Sequence, residues 1–274
     1  TNIDGEHKSA TFAPTEYSFS QTRDLQFFDT SSSKVAYFAF DAFTAKGADD
    51  LTKIFKEIKP KQVDTLILDL RYNGGGRVDV SNQLASNIAG ALVDDKVYVQ
   101  FKHNVELSKY DFERKFDVVA SESLNLNKVY VLTTGYSCSA SELVINSLRP
   151  HVEVVTVGET TCGKPIGMYG YPFCESMLFP ISFAMQNSKG EGDYFDGIKP
   201  DCYVYDWPDY AKGDKRDSMI KQALTLVDGG RCDSDYQAFG RSFGGPAEPI
   251  RRADRLQPIE EDSKEIFDPN KELF

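Results

Sequence analysis

The chain has 274 residues, enough for one large domain or two small ones, with 41% apolar and 27% charged residues and a net charge of −11. Such a composition belongs to an ordinary globular chain. The negative charge argues against nucleic acid or an anionic membrane surface as a partner, since either would repel it. No apolar run approaches the roughly 20 residues that cross a bilayer, so no transmembrane segment is expected. No signal peptide is visible and the first residue is Thr1, which reads as a processed protein or a fragment whose targeting segment is out of view.

In chain order, residues 1–33 are polar and rich in Ser and Thr, and read as an N-terminal arm with an edge strand. Lys34 to Phe40 (KVAYFAF) is predicted as a strand from its aromatic and β-branched content. Ala48 to Lys59 is predicted as a helix, because Leu51, Ile54, Phe55 and Ile58 form one apolar stripe. Asp49 and Asp50 would then lie in its first turn, where the helix dipole favours acids. Asp64 to Leu70 (DTLILDL) is a near-continuous apolar run, predicted as a central strand. It ends in Arg71-Tyr72-Asn73-Gly74-Gly75-Gly76, followed by a helix from Val78 to Leu92 with Leu84, Ile88 and Leu92 on one face.

Val97 to Phe101 is the next strand, and the charged, aperiodic stretch from Lys102 to Asn127 reads as a surface excursion or lid. Lys128 to Lys164 then gives a strand (Val129 to Leu132), a serine-rich turn leading into a helix, and a second strand (Val152 to Val157). Met177 to Met185 is predicted as one strand, pushed to an edge or bulged by Pro180. A turn-rich loop follows from Ser188 to Gly197, then a last helix from Asp214 to Asp228. Alternating strands and helices imply an α/β fold with substantial parallel pairing. The division is an arm at 1–33, a catalytic unit at 34–230, and a polar extension at 231–274 that is either disordered or draped over the core.

Three features could carry chemistry. The glycines after Leu70 sit between a strand and a helix, as a phosphate cradle would, but lack both the GxGxxG spacing and a Walker lysine. A structural turn, or a set of backbone N–H groups forming an oxyanion hole, fits them better. Ser137, Ser139 and Ser141 open a helix, and Lys164 returns after the next strand. A lysine in a dry pocket can act as a neutral base toward a serine. The histidines, His7, His103 and His151, lie in the polar arm, at the edge of the charged loop and at the far end of the helix from the serines, so lysine is the better base. The five cysteines, Cys138, Cys162, Cys174, Cys202 and Cys232, lack CxxC spacing, which disfavours zinc. They read as small buried fillers, with a bridge or a reactive thiol at Cys138 and Cys162 as the alternative.

In order, the chain carries Asp69-Leu70-Arg71-Tyr72-Asn73-Gly74-Gly75-Gly76, Ser137-Cys138-Ser139-Ala140-Ser141-Glu142, Gly158-Glu159-Thr160-Thr161-Cys162-Gly163-Lys164, and Gly197 to Asp201. This succession resembles the catalytic domain of the C-terminal processing peptidases, the tail-specific serine proteases. The resemblance implies a crotonase-like α/β core of mixed, largely parallel sheet with flanking helices. It implies Ser139 as nucleophile and Lys164, 25 positions later, as base. Oxyanion donors would be the N–H groups of Ala140 and Gly75, and Glu142 would be an orienting acid or a helix cap. Ser137 and Ser141 become helix-capping or wall residues. The family's glutamine four residues after the lysine is replaced by Met168, and residues before Val35 are too few for the family's PDZ domain.

The implied activity is a serine endopeptidase (a hydrolase) that acts on unstructured or C-terminal segments of proteins and peptides through an acyl-enzyme. It would need no cofactor and no metal, and would work in an extracytoplasmic setting such as the bacterial periplasm or cell envelope. The rival is a ligand-binding module of the retinoid-carrier type on the same core, with the aromatic-rich Met168 to Phe183 region lining its pocket. An acyl-CoA enzyme of the wider crotonase-like group is a further rival. The retained Ser139 and Lys164 favour the peptidase, and covalent labelling would separate the readings.

Overall fold

A computed structural model describes residues 19–207 and 209–233. The N-terminal arm before residue 19 and the extension from 234 lie outside the described residues. In chain order the elements are β1 (Thr22–Asp29), β2 (Lys34–Phe40), α1 (Ala45–Ile58), β3 (Thr65–Asp69), α2 (Val78–Ala89), β4 (Val97–Lys102), β5 (Phe112–Lys115) and β6 (Lys128–Thr133). There follow α3 (Ala140–Leu148), β7 (Glu153–Gly158), β8 (Ile166–Met168), β9 (Tyr171–Phe173), β10 (Ser176–Leu178), β11 (Ile181–Gln186), β12 (Cys202–Tyr203) and α4 (Ser218–Val227).

The main sheet has six strands in the order β1-β2-β3-β6-β7-β12. Pairing is parallel from β2 through β12, and only β1 is antiparallel, zipped along β2 as an edge. Alternation along β2 sorts the side chains. Ala36, Phe38 and Phe40 point into a large core with α1, α2 and α3, while Val35 and Tyr37 point to the opposite face, which α4 covers through Met219, Ile220 and Ala223. The fold is therefore α/β, with helices on both faces of a mostly parallel sheet. Parallel strands end together, so the loops after β3, β6 and β7 open on one rim. Those loops are the glycine run, the serine turn and the lysine segment.

Several elements depart from the sequence expectation. Helix α1 starts three residues earlier, because the Thr44 hydroxyl accepts the Gly47 N–H at 3.0 Å and caps it. No acid then occupies its first turn. Asp50 is buried and instead accepts the Gln21 N–H and pairs with Lys46, tying β1's approach to the helix. Helix α2 stops at Ala89, since Gly90 adopts a positive φ, and Leu92 is exposed rather than on the apolar face.

The stretch from Lys102 to Asn127 is not merely a surface excursion. It contains β5, which pairs with β4, and it packs along α2 through Leu124 N–H to Asn87 O and Leu126 N–H to Ile88 O. Strand β4 belongs to a second, four-stranded sheet in the order β5-β4-β11-β8. The single strand expected from Met177 to Met185 is split into β10 and β11 around Phe179-Pro180, since proline cannot donate to a ladder. The last helix begins at Ser218, where the Asp217 carboxylate caps the Met219 and Ile220 N–H groups, rather than at Asp214.

Arg71 fastens the rim from below. Its side chain is 2% exposed and bonds three carboxylates: Asp69 at 2.7 Å, Asp206 at 2.9 Å and Asp217 at 2.9 Å. Burial alone would lower its pKa, but Asp69 and Asp217 more than offset this and hold the guanidinium firmly protonated. Tyr37 donates to the same Asp69 at 2.7 Å. One residue thus joins the end of β3, the segment after β12 and the cap of α4. Replacing Arg71 with Met leaves these carboxylates without their cation. Denaturant unfolding should show a loss of about 3–5 kcal/mol.

Candidate active site

Ser137, Ser139 and Ser141 have separate fates. The Ser137 hydroxyl donates to Leu70 O at 2.8 Å and accepts the Thr134 N–H. The Ser141 hydroxyl donates to Asn73 O at 2.8 Å, and the Cys138 N–H reaches the same oxygen at 3.0 Å. The outer two serines therefore bolt the turn onto the glycine loop rather than capping their own helix. Ser139 stands between them, buried at 7% exposure; its side chain accepts the Glu142 N–H in a capping box, and among the described residues its hydroxyl donates to no acceptor. Its backbone has φ 55° and ψ −111° at the N-terminus of α3. A serine in this region is strained and is held there only by surroundings that over-determine it.

Gly75 shows one source of that constraint. A Cβ on it would lie 2.8 Å from both Cys138 O and Ser139 Cβ and 2.9 Å from Ala140 N, and its φ is +101°. Only glycine lets the loop approach the serine turn so closely. The Gly75 N–H donates to Asn73 Oδ1 at 2.9 Å, while Asn73 Nδ2 donates to Phe40 O. Ala140 is the first residue of α3, and its N–H has no acceptor among the described residues. It is a ready donor at the positive end of a helix.

Glu142 joins the serine turn to the lysine segment. It is fully buried. One carboxylate oxygen accepts the backbone N–H groups of Ser139 at 2.9 Å and Lys164 at 2.8 Å. The other accepts the Gly163 N–H at 2.7 Å and the Thr161 hydroxyl at 2.5 Å. Ser139 and Lys164 backbone nitrogens thus share a single oxygen atom. Thr161 in turn accepts the Ile198 N–H at 2.7 Å, and its own N–H donates to Ile198 O. Three residues on, Asp201 accepts both the Thr156 N–H and hydroxyl at 2.8 Å. The four sequence motifs therefore form one hydrogen-bonded unit.

A disulfide between Cys138 and Cys162, with Cα atoms 5.2 Å apart, ties the residue before Ser139 to the segment before Lys164. A second joins Cys202 to Cys232, and Cys174 is free and exposed. The reading of these cysteines as buried fillers is corrected: four are bridged, and the fifth, Cys174, is exposed. The Cys138 and Cys162 sulfurs lie with the Glu142 carboxylate in a cluster of metal-ligand type. Sulfurs bonded to each other offer no thiolate to a metal, so the cluster is a clamp.

Lys164 is half-buried, and among the described residues its ammonium makes no ion pair or hydrogen bond, including to Ser139 Oγ. Its approach is set by Gly163 at φ +84°, where a Cβ would lie 2.2 Å from Phe195 O. Met168 lies further along, in β8, opposite Ile181. His103 sits elsewhere, held between Asp111 at 3.2 Å and the Tyr169 hydroxyl at 3.0 Å. His151 contacts Ser188, and its burial lowers its pKa. His7 lies outside the described residues. Thr161 and Asn73 were not singled out from sequence. The Gly-Glu-x-Thr and Arg-x-Asn patterns held both, but a pattern does not say which member is a hub.

The family model for peptidase family S41 matches residues 34–204, a span that contains every residue of this unit. The chain belongs to peptidase family S41. The carboxy-terminal processing protease CtpB of Bacillus subtilis is 24% identical over 207 residues, covering 71% of this chain and 41% of its own length. The tail-specific protease of Haemophilus influenzae is 24% identical over 144 residues, covering 53% of this chain and 19% of its own. The chain thus spans less than half of the length of these relatives. Among solved structures, a putative S41 protease from Bacteroides fragilis superposes with a TM-score of 0.71 at 24% identity, covering 78% of this chain and 59% of that one. A photosystem II D1 C-terminal processing protease gives 0.54 at 18% identity, covering 74% and 52%. These likenesses establish the fold.

Two measurements check the geometry. Substituting both Cys138 and Cys162 with Ser should cost about 3 kcal/mol in unfolding free energy, the loop-closure value for a bridge of this span. Ser139→Gly should exceed Ser139→Ala in unfolding free energy by about 1 kcal/mol, measured by denaturant titration, because only glycine relieves the positive φ.

Proposed function

We propose that this protein is a serine endopeptidase in which Ser139 attacks and Lys164 is the base. The observation that carries the reading is the sorting of the three serines. The outer two donate their hydroxyls to Leu70 O and Asn73 O, while the strained middle one, beside the lysine segment, donates to no acceptor among the described residues. A hydroxyl held at a strained strand-to-helix turn suits a nucleophile in acyl transfer. Lys164, as neutral amine, takes the Ser139 proton as Oγ bonds to the peptide carbonyl carbon.

The resulting oxyanion falls at the start of α3, where the Ala140 N–H points outward from the helix end. Gly75 N–H joins as the second donor by leaving Asn73 Oδ1, its acceptor here. The intermediate collapses by breaking the C–N bond, and the lysine ammonium returns its proton to the departing amine. Water, deprotonated by Lys164, then splits the acyl-serine. The Glu142 carboxylate positions both backbones without touching the reacting atoms. Lys164 and Ser139 are not hydrogen-bonded in this state, so substrate binding would close that gap, as with many sites that tighten only in the complex.

Substrates of this reading are unstructured or C-terminal segments of proteins and peptides, and the compartment is extracytoplasmic. Two disulfides support an oxidising setting of that kind. No helix among the described residues is long and apolar enough to cross a membrane.

A fluorophosphonate probe should label the wild-type chain on Ser139, and the same chain should cleave an unfolded reporter. Ser139→Ala should lose both, and Lys164→Met should lower labelling at least about hundredfold, the scale of a general base's contribution. Labelling of Ser139→Ala at the wild-type rate would show that the nucleophile lies elsewhere.

A further inference from the structure

The rim beside Ser139 carries two large aromatic side chains that the catalytic scheme does not use. Tyr72 occupies the unspecified position between Arg71 and Asn73 in the glycine-loop motif, and Tyr136 lies just before the serine segment. They are 52% and 73% exposed, yet they meet edge to face with ring centroids 6.4 Å apart and planes at 66°. The loops that bear them are stitched together immediately alongside, through Ser137 to Leu70 and Cys138 to Asn73. The pair therefore bridges the proposed oxyanion loop and the nucleophile turn.

Tyr72 is also held in place. Its φ of 70° is a conformation that bulky residues rarely adopt, and asparagine or glycine would fill it with less strain. Its hydroxyl donates to Asp206, the carboxylate that Arg71 also grips, and the Lys212 ammonium lies 5.0 Å from its ring centroid. Burial and then the Asp206 bond push the phenol up to about 12, so it stays protonated and the ring stays tethered. An exposed ring usually swings freely, whereas this one is preorganised at a backbone cost. Such strain at a rim next to a strained serine points to use by a ligand. Two adjoining rings offer faces and edges to another apolar or aromatic group at little loss of side-chain freedom.

We propose that Tyr72 and Tyr136 form a specificity wall that selects substrates with a bulky apolar or aromatic side chain within a few residues of the scissile bond. The inference rests on the peptidase reading and extends it to substrate class. Neither residue touches the reacting atoms in this account. They act on which peptide is held, so their effect falls on discrimination rather than on every substrate equally.

The test uses the full chain and a mixed peptide library, with cleavage points mapped by mass spectrometry. Matched peptides are then compared that differ only by Phe or Ser at each position around the cut. Wild type should prefer Phe over Ser by about tenfold or more in kcat/KM at one position, the discrimination expected of an apolar subsite. Tyr136→Ala, and Tyr72→Asn, which removes the ring while tolerating the positive φ, should each shrink that ratio to within about threefold. Tyr136→Phe should keep it. A ratio unchanged in the ring-deleted variants, an equal loss for both peptides, or no preferred position in wild type would overturn the wall. Failure of folded wild type to cleave any peptide would overturn the peptidase reading along with it, and the wild-type assay alone identifies that case.

Discussion

A carboxylate taken wholly out of water must be met by donors on every side, and Glu142 satisfies that demand with groups drawn from two distant parts of the chain. This requirement organises the site. The Ser139 N–H comes from the turn after β6, and the Thr161, Gly163 and Lys164 donors come from the segment after β7. Because they converge on one carboxylate, neither segment can drift without orphaning a buried oxygen. The Cys138–Cys162 disulfide repeats the same tie covalently one residue away. A carboxylate that looks like a simple helix cap thus also sets where the lysine segment runs.

The second tie runs underneath. Arg71 anchors the glycine loop to the ends of β3 and α4, and Ser137 and Ser141 hang the serine turn from that loop. Strain at Ser139 and close approach at Gly75 are affordable only because these contacts fix the backbone on both sides. That the Ala140 N–H has no acceptor among the described residues follows from its place as the first helical donor after that turn.

Much of this was legible in the sequence where physical signals are local. The apolar runs of β2, β3, β6 and β7 and the stripes of the helices come from burial and periodicity, and they place the parallel core well. Short strands with few apolar residues, such as β5 and β8, carry no such signal, because their pairing is decided by partners far along the chain. The sequence offers the Cys138–Cys162 bridge only as an alternative and gives no sign of Cys202–Cys232, for a related reason: spacing in sequence says little about distance in space, and Cys138 and Cys162 meet only because β6 and β7 are neighbours. The motif spacing singled out Ser139, but only the hydrogen bonds of Ser137 and Ser141 explain what the other serines are for.

The central claim is that the Glu142 carboxylate holds Ser139 and Lys164 in register. Glu142→Gln keeps the size but replaces one acceptor oxygen with a donor facing backbone N–H groups. The most direct measurement is the second-order rate of fluorophosphonate labelling at Ser139 in this variant, with both disulfides intact and folding checked by circular dichroism. The account predicts a fall of about hundredfold, the scale of a misplacement near 1 Å at a reacting group. Labelling at the wild-type rate in the folded variant would contradict it.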